Sequence, residues 1–179
     1  MLKLKSFKKV VLGIVMLLLV NLTFSQDNKP PLSPLDSAKG ILKSGATIKI
    51  IYSSPSVRDR KIWGELVPYH KVWRAGANNA TQIEFDKDVK IDGNLLKAGK
   101  YSIYMIPEEE SWSIIFSSQT GQSGMNHDGT STLDFEKIVL RGLGSTKKSK
   151  SFNERLIYSI NEKGIVLSWE KLDITLLMK

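Results

Sequence analysis

The sequence predicts an all-β protein, an antiparallel β-sandwich or jelly-roll-like barrel of about eight strands with one long structured loop, behind an N-terminal signal peptide. Three observations carry this. Short segments of alternating apolar and polar residues recur at close spacing and are bounded by Gly, Pro, Asn and Ser. No segment after the first 25 residues sustains a helical period, so strands do not alternate with helices. The chain has no cysteine, so its stability must come from a packed core, not from disulfides.

The chain opens on a basic head, Lys3, Lys5, Lys8 and Lys9, followed by an apolar run from Val10 to Val20 and a polar exit at Asn21, Thr23 and Ser25. That order is the grammar of a cleavable signal peptide, residues 1–25. The apolar run falls short of the roughly 20 residues a membrane span needs. Export to the periplasm or beyond is expected, with no stable membrane span after cleavage. Removing residues 1–25 leaves 22 basic against 18 acidic residues, a net charge of +4 in place of +8. So modest a charge on an exported chain gives no support to a nucleic-acid partner.

Residues 26–45, with Pro30, Pro31 and Pro34, read as an extended lead-in, and residues 46–179 as a single β-sandwich domain. A domain of this size buries about two thirds of the surface its unfolded chain exposes. Thr47–Tyr52 alternates and stops at Ser53-Ser54-Pro55. Pro55–Ala80 shows no regular period and reads as the long loop, with a helical turn around Tyr69–Trp73. Thr81–Phe85 and Val89–Ile91 are strands, and Asp92-Gly93-Asn94 is a turn signal. Tyr101–Ile106 is apolar on both faces and pairs as a hairpin with Trp112–Phe116 across Glu108-Glu109-Glu110. Ser117–Ser131 reads as a mobile loop, Leu133–Leu140 as a strand and Gly142–Ser151 as a basic linker. Phe152–Ile160 and Ile165–Trp169 flank a turn at Asn161–Gly164 and end the series.

Motifs for chemistry are sparse. His70 and His127 stand 57 residues apart with no cysteine to join them, so no metal site or cofactor is expected. Asn126, Asp128, Asp134 and Glu136 lie close together but match no calcium-loop spacing. Gly121-Gln122-Ser123-Gly124 lacks the spacing of a nucleophile elbow. Glu65, Glu84 and Glu108–Glu110 read as solvated surface charge, although paired carboxylates also serve glycosidases.

The long loop stands apart, because it holds two of the four tryptophans together with Arg58, Arg60, Arg74 and Asn78. Guanidinium groups offer paired donors to carboxylates or phosphates, and indole faces stack on sugars. Arg58, Arg60, Trp63, Trp73, Arg74 and Asn78 are therefore the candidate ligand-binding residues of a non-enzymatic cell-envelope module for an anionic, glycan or protein ligand. The same residue types also serve a purely structural purpose, with the tryptophans plugging the end of the sandwich and the arginines tying down loop carbonyls or carboxylates. A hydrolase using His70 as general base beside Arg74 and Asn78 is the other functional reading, and a structural protein with no small ligand is a third.

The run Tyr52-Ser53-Ser54-Pro55-Ser56-Val57-Arg58, then Arg60-Lys61-Ile62-Trp63-Gly64, Leu66-Val67-Pro68-Tyr69, Val72-Trp73-Arg74, Gly76-Ala77-Asn78, Ala80-Thr81 and Ala98-Gly99-Lys100-Tyr101-Ser102 resembles domain-of-unknown-function family 2911. The likeness is specific over residues 33–117 and continues more weakly to Trp169-Glu170-Lys171. It implies a small exported bacterial protein with a β fold and carries over no catalytic residue. After Phe116 the chain departs from the family pattern, with Ser117-Ser118-Gln119 and Gly124-Met125-Asn126 where relatives have an Asn followed by a Trp-Gly and a Tyr.

Overall fold

Nine β-strands built on alternating side chains make up the fold: β1 (Leu35–Ile41), β2 (Thr47–Ser53), β3 (Ala77–Phe85), β4 (Val89–Ile91), β5 (Asn94–Leu96), β6 (Gly99–Ile106), β7 (Ser111–Ser117), β8 (Ile138–Asn161) and β9 (Gly164–Leu177). The structure, a computed structural model, describes residues 31–179. The expected signal peptide and Gln26–Pro30 lie outside the described residues. Seven strands form one antiparallel sheet in the order β1-β2-β3-β6-β7-β8-β9, and β4 pairs with β5 in a separate hairpin. The protein is all-β, a curled antiparallel sheet plus a small one.

The curl depends on the β8–β9 hairpin. Ser145 pairs with Thr175 and Ile160 with Ile165, but the register shifts between Lys148 and Asn153 and again before Ile157. Extra residues in a ladder bend it and increase its twist. Glu170, opposite Asn153, takes a left-handed φ of 56°. Beyond this bend the far half of β8 meets the other edge of the sheet. Leu156 N donates to Pro55 O (2.9 Å), and Val57 N donates to Glu154 O (2.8 Å). At the far end Met178 N donates to Lys163 O (2.8 Å), so β9 ends beside its own beginning.

Alternation sorts the side chains between two clusters. Ile48, Ile50, Ile83, Ile103, Met105, Ile114 and Phe116 belong to the main core, with Leu156, Leu167, Ile174 and Leu176 from the bent hairpin. Tyr104 and Ile115 point to the opposite face, where Ala80 and Leu133 complete a second, small cluster. This is why β6 is apolar on both faces.

Four expectations are corrected. Part of the presumed lead-in, Leu35–Ile41, is the edge strand β1, which supplies only Ala38 to the core and so lacks an apolar signature. The presumed basic linker, Gly142–Ser151, lies wholly within β8. Its inward positions are Gly142 and Gly144, packed against Ile91, Ile114 and Ile174, while Lys147, Lys148 and Lys150 face water. The Leu133–Leu140 strand is instead a 3-10 turn, Phe135–Lys137, capped by Asp134, after which β8 begins. Nor does Tyr69–Trp73 form a helical turn; His70 is left-handed there, at φ 59°.

A tyrosine pair locks the seam. Tyr52 and Tyr158 meet edge-to-face at 4.8 Å. Tyr158 Oη donates to Ala75 O (2.9 Å), and Tyr52 Oη accepts from Tyr158 N (3.3 Å) while donating to Asp36 Oδ2 (3.1 Å). Burial, reinforced by the Asp36 charge, pushes the Tyr52 phenol up to about 12, and burial pushes Tyr158 up as well.

Two outcomes follow from this packing. Gly164 sits at φ 149°, and a Cβ there would collide with the carbonyl oxygen of Leu176. Gly164→Val will lower stability by about 3 kcal/mol. Gly93→Ala, where φ is 83° but nothing lies within 4 Å, will cost about 1 kcal/mol. Urea denaturation of both variants checks the ranking. Because the folded Tyr52 phenol holds a proton that the unfolded chain releases near pH 10, its stabilisation is intact below about pH 10 and is lost as pH rises through about 12. Tyr52→Phe will flatten that alkaline decline in denaturation midpoints.

Candidate functional site

The segment between β2 and β3 has almost no regular structure, so its shape is set by anchors from elsewhere. Ser54 Oγ donates to Leu156 O (2.7 Å), and Trp73 exchanges both backbone hydrogen bonds with Met105 (2.7 and 2.8 Å). Left-handed residues Arg58, Asp59, His70 and Ala75 make its corners.

Its tryptophans turn inward. Trp63 and Trp73 meet Trp112 from β7 and Trp169 from β9, so all four tryptophans of the protein share one cluster. Trp63 stands edge-on to the other three at 5.1–6.2 Å, and Trp73 stacks on Trp169 at 6.1 Å. Edge-to-face contacts of this kind add about 0.5–1.5 kcal/mol each beyond area burial. Trp73, Trp112 and Trp169 are buried and Trp63 is half-buried. Trp73 Nε1 donates to Gly76 O (3.1 Å), whereas the other three indole N–H groups have no protein acceptor.

The polar candidates have separate fates. Arg60 donates from Nε to Val57 O (3.0 Å) and from Nη2 to Ser56 O (2.6 Å), so its fork ties its own loop. Arg58 donates from Nη2 to Leu32 O (2.5 Å), and its backbone N–H reaches Glu154 Oε1 (3.0 Å). Asn78 donates to Ser53 Oγ (3.2 Å) and Ser33 O (3.3 Å). The six residues therefore form no single lined surface: the tryptophans pack together, and Arg58, Arg60 and Asn78 join chain segments.

Arg74 differs. Its side chain is half-buried, its Nε is enclosed without an acceptor, and no carboxylate lies within 4.0 Å of it among the described residues. Burial lowers the pKa of its guanidinium, since the charged form has lost water and gained no counter-charge. The segment Gln122–Gly124 covers it. Ala80 N donates to Gln122 O (3.2 Å) and Gly124 N to Asn78 O (3.0 Å), laying this segment beside β3. Gln122 Nε2 in turn donates to Tyr104 Oη (2.8 Å) and Ser102 Oγ (3.3 Å), leaving its Oε1 buried without a partner. Sequence reading did not single out Gln122, Ser102 and Tyr104 as site residues, because only the fold brings the Gln122 segment against β6.

His70 is exposed, and its ring makes no hydrogen bond to another described residue, although its backbone N–H donates to Pro107 O (2.9 Å). Among the described residues no group of three His, Asp or Glu is placed to hold a metal. Asp128 accepts from Thr130 (2.6 and 2.9 Å), Asn126 donates to Thr130 (2.9 Å), and Asp134 caps the 3-10 turn.

Gly124 is required by Arg74, because a Cβ at position 124 would collide with the arginine's methylenes. Gly124→Ala will cost about 1–3 kcal/mol in the native protein and much less in an Arg74→Ala background. A double-mutant cycle measured by chemical denaturation checks this.

A family model described as "Protein of unknown function (DUF2911)" matches residues 33–178. No curated protein and no solved structure matches the chain. The match runs from just before β1 to the residue after β9 and so takes in the whole curled sheet, the four-tryptophan end and Arg74. The chain belongs to the DUF2911 family.

Proposed function

We propose that the protein is an exported, non-enzymatic binding module of the cell envelope whose ligand presents a carboxylate or phosphate group to Arg74. One observation supports the reading above others: Arg74 is half-buried with no carboxylate partner among the described residues, while Arg58 and Arg60 are engaged with carbonyls. A desolvated charge without a partner opposes folding, and an anionic ligand relieves that cost when it binds. The planar fork suits a two-oxygen anion, which it can hold in a fixed orientation. The tryptophan cluster beneath the loop makes the platform stiff, so little ordering is needed on binding. Export rests on the basic head, short apolar run and polar exit of residues 1–25.

Thermal unfolding of the purified protein in citrate, inorganic phosphate and glucuronate tests this. At a concentration about a hundredfold above Kd, the bound anion will raise Tm by roughly 5–10 °C. Arg74→Ala, folded by circular dichroism, will lose the shift, and Arg74→Lys will retain only part of it. Equal shifts in the wild-type and Arg74→Ala proteins, or none in either, overturn the proposal.

A further inference from the structure

We propose that the end of the curled sheet carrying the β8–β9 turn docks onto an anionic phospholipid surface. The turn after β1, the β4–β5 hairpin, the β8–β9 turn and the residues after β9 converge there around a cleft of about 920 Å³. Four exposed lysines, Lys43, Lys90, Lys163 and Lys179, line it, one from each segment.

Their spacing is fixed by backbone pairing. Lys90 and Lys179 exchange hydrogen bonds (2.7 and 2.9 Å), Met178 N donates to Lys163 O (2.8 Å), and Lys43 N donates to Glu162 O (2.9 Å). No carboxylate lies within 4.0 Å of these four ammonium groups among the described residues. Two acidic side chains share the cleft. Asp92, whose Oδ2 accepts from Leu143 N (2.8 Å), and Glu162 both keep their charge, so four lysine side chains face two acidic side chains.

Apolar groups complete the surface. Leu177, in the cleft, is 59% exposed and Leu143 is 66% exposed. Leu143 adjoins the cleft through its backbone N–H, which donates to Asp92 Oδ2 (2.8 Å) on the cleft wall. A small polar anion leaves both leucines wet, and an apolar ligand leaves the lysines unused. An anionic lipid at a bilayer surface satisfies both, with ammonium groups at the phosphates and leucines at the acyl boundary.

Co-sedimentation of the exported protein, residues 26–179, with vesicles tests this. It will bind phosphatidylglycerol–phosphatidylcholine vesicles and not phosphatidylcholine alone, with affinity falling as salt rises. Lys90→Glu/Lys163→Glu will weaken binding more than tenfold, while Lys147→Glu/Lys148→Glu, of equal net charge, will not. Leu177→Ser, a change at an exposed position, will weaken it several-fold at unchanged charge. Arg74→Ala will bind vesicles as the native protein does, which separates this surface from the Arg74 site. Failure to bind phosphatidylglycerol overturns the proposal, as does equal loss in the Lys147/Lys148 control. Full competition by glycerol phosphate together with an unaffected Leu177→Ser also overturns it, showing a site for free phosphate and not for lipid.

Discussion

The bend of the β8–β9 hairpin over the curled sheet is the constraint on which the molecule depends. A seven-stranded sheet left open would expose backbone donors and acceptors along β1 and β9. The bend at Lys148–Asn153 swings the far half of the hairpin over, so that Glu154 and Leu156 meet Pro55 and Val57 about a hundred residues away in sequence. Ser54, Tyr52 and Ala75 are then held by Leu156 and Tyr158. The loop that carries Arg74 is thus shaped by strands formed at the other end of the chain. Contacts of such long range must close before they stabilise anything, so loop and barrel form together.

The four tryptophans make that dependence cooperative. Trp112 and Trp169 come from the sheet and Trp63 and Trp73 from the loop, and each loop indole touches both sheet indoles. With no cysteine in the chain, this cluster takes the place of a staple at the loop end. It also explains why loop residues with little secondary structure are so well buried: their backbone groups find partners in Met105, Pro107 and Glu154 instead of in a ladder.

Much of the fold was legible where one face of a strand repeats an apolar residue, as in Thr47–Tyr52, Tyr101–Met105 and Trp112–Phe116. It was illegible where the inward residue is a glycine. Gly142 and Gly144 contribute no apolar side chain, so the strand around them reads as a basic linker although its backbone is fully in the sheet. Of the site, the density of Trp and Arg marked the right loop, but not which arginine differs. Arg60 and Arg74 sit in similar local sequence, and their fates diverge because Gly124, fifty residues on, covers one of them. The four lysines of the cleft were hidden more completely, since each is a single charge in its own segment and only the curl of the sheet gathers them.

Arg74 therefore bears on function through its energetics and not through its motif. A protein without disulfides has a small margin of stability, and a half-buried guanidinium with neither carboxylate nor carbonyl partner among the described residues reduces it. An apolar side chain of similar length would fill the space under Gly124 without that cost, so packing alone gives no reason for arginine there. The neighbouring Gln122 Oε1, also buried without a partner, places a second unmet polar group beside the same covering segment. Two uncompensated groups next to one loop, in a domain that ties Arg58 and Arg60 to carbonyls, are the energetic pattern on which the proposed anion site rests.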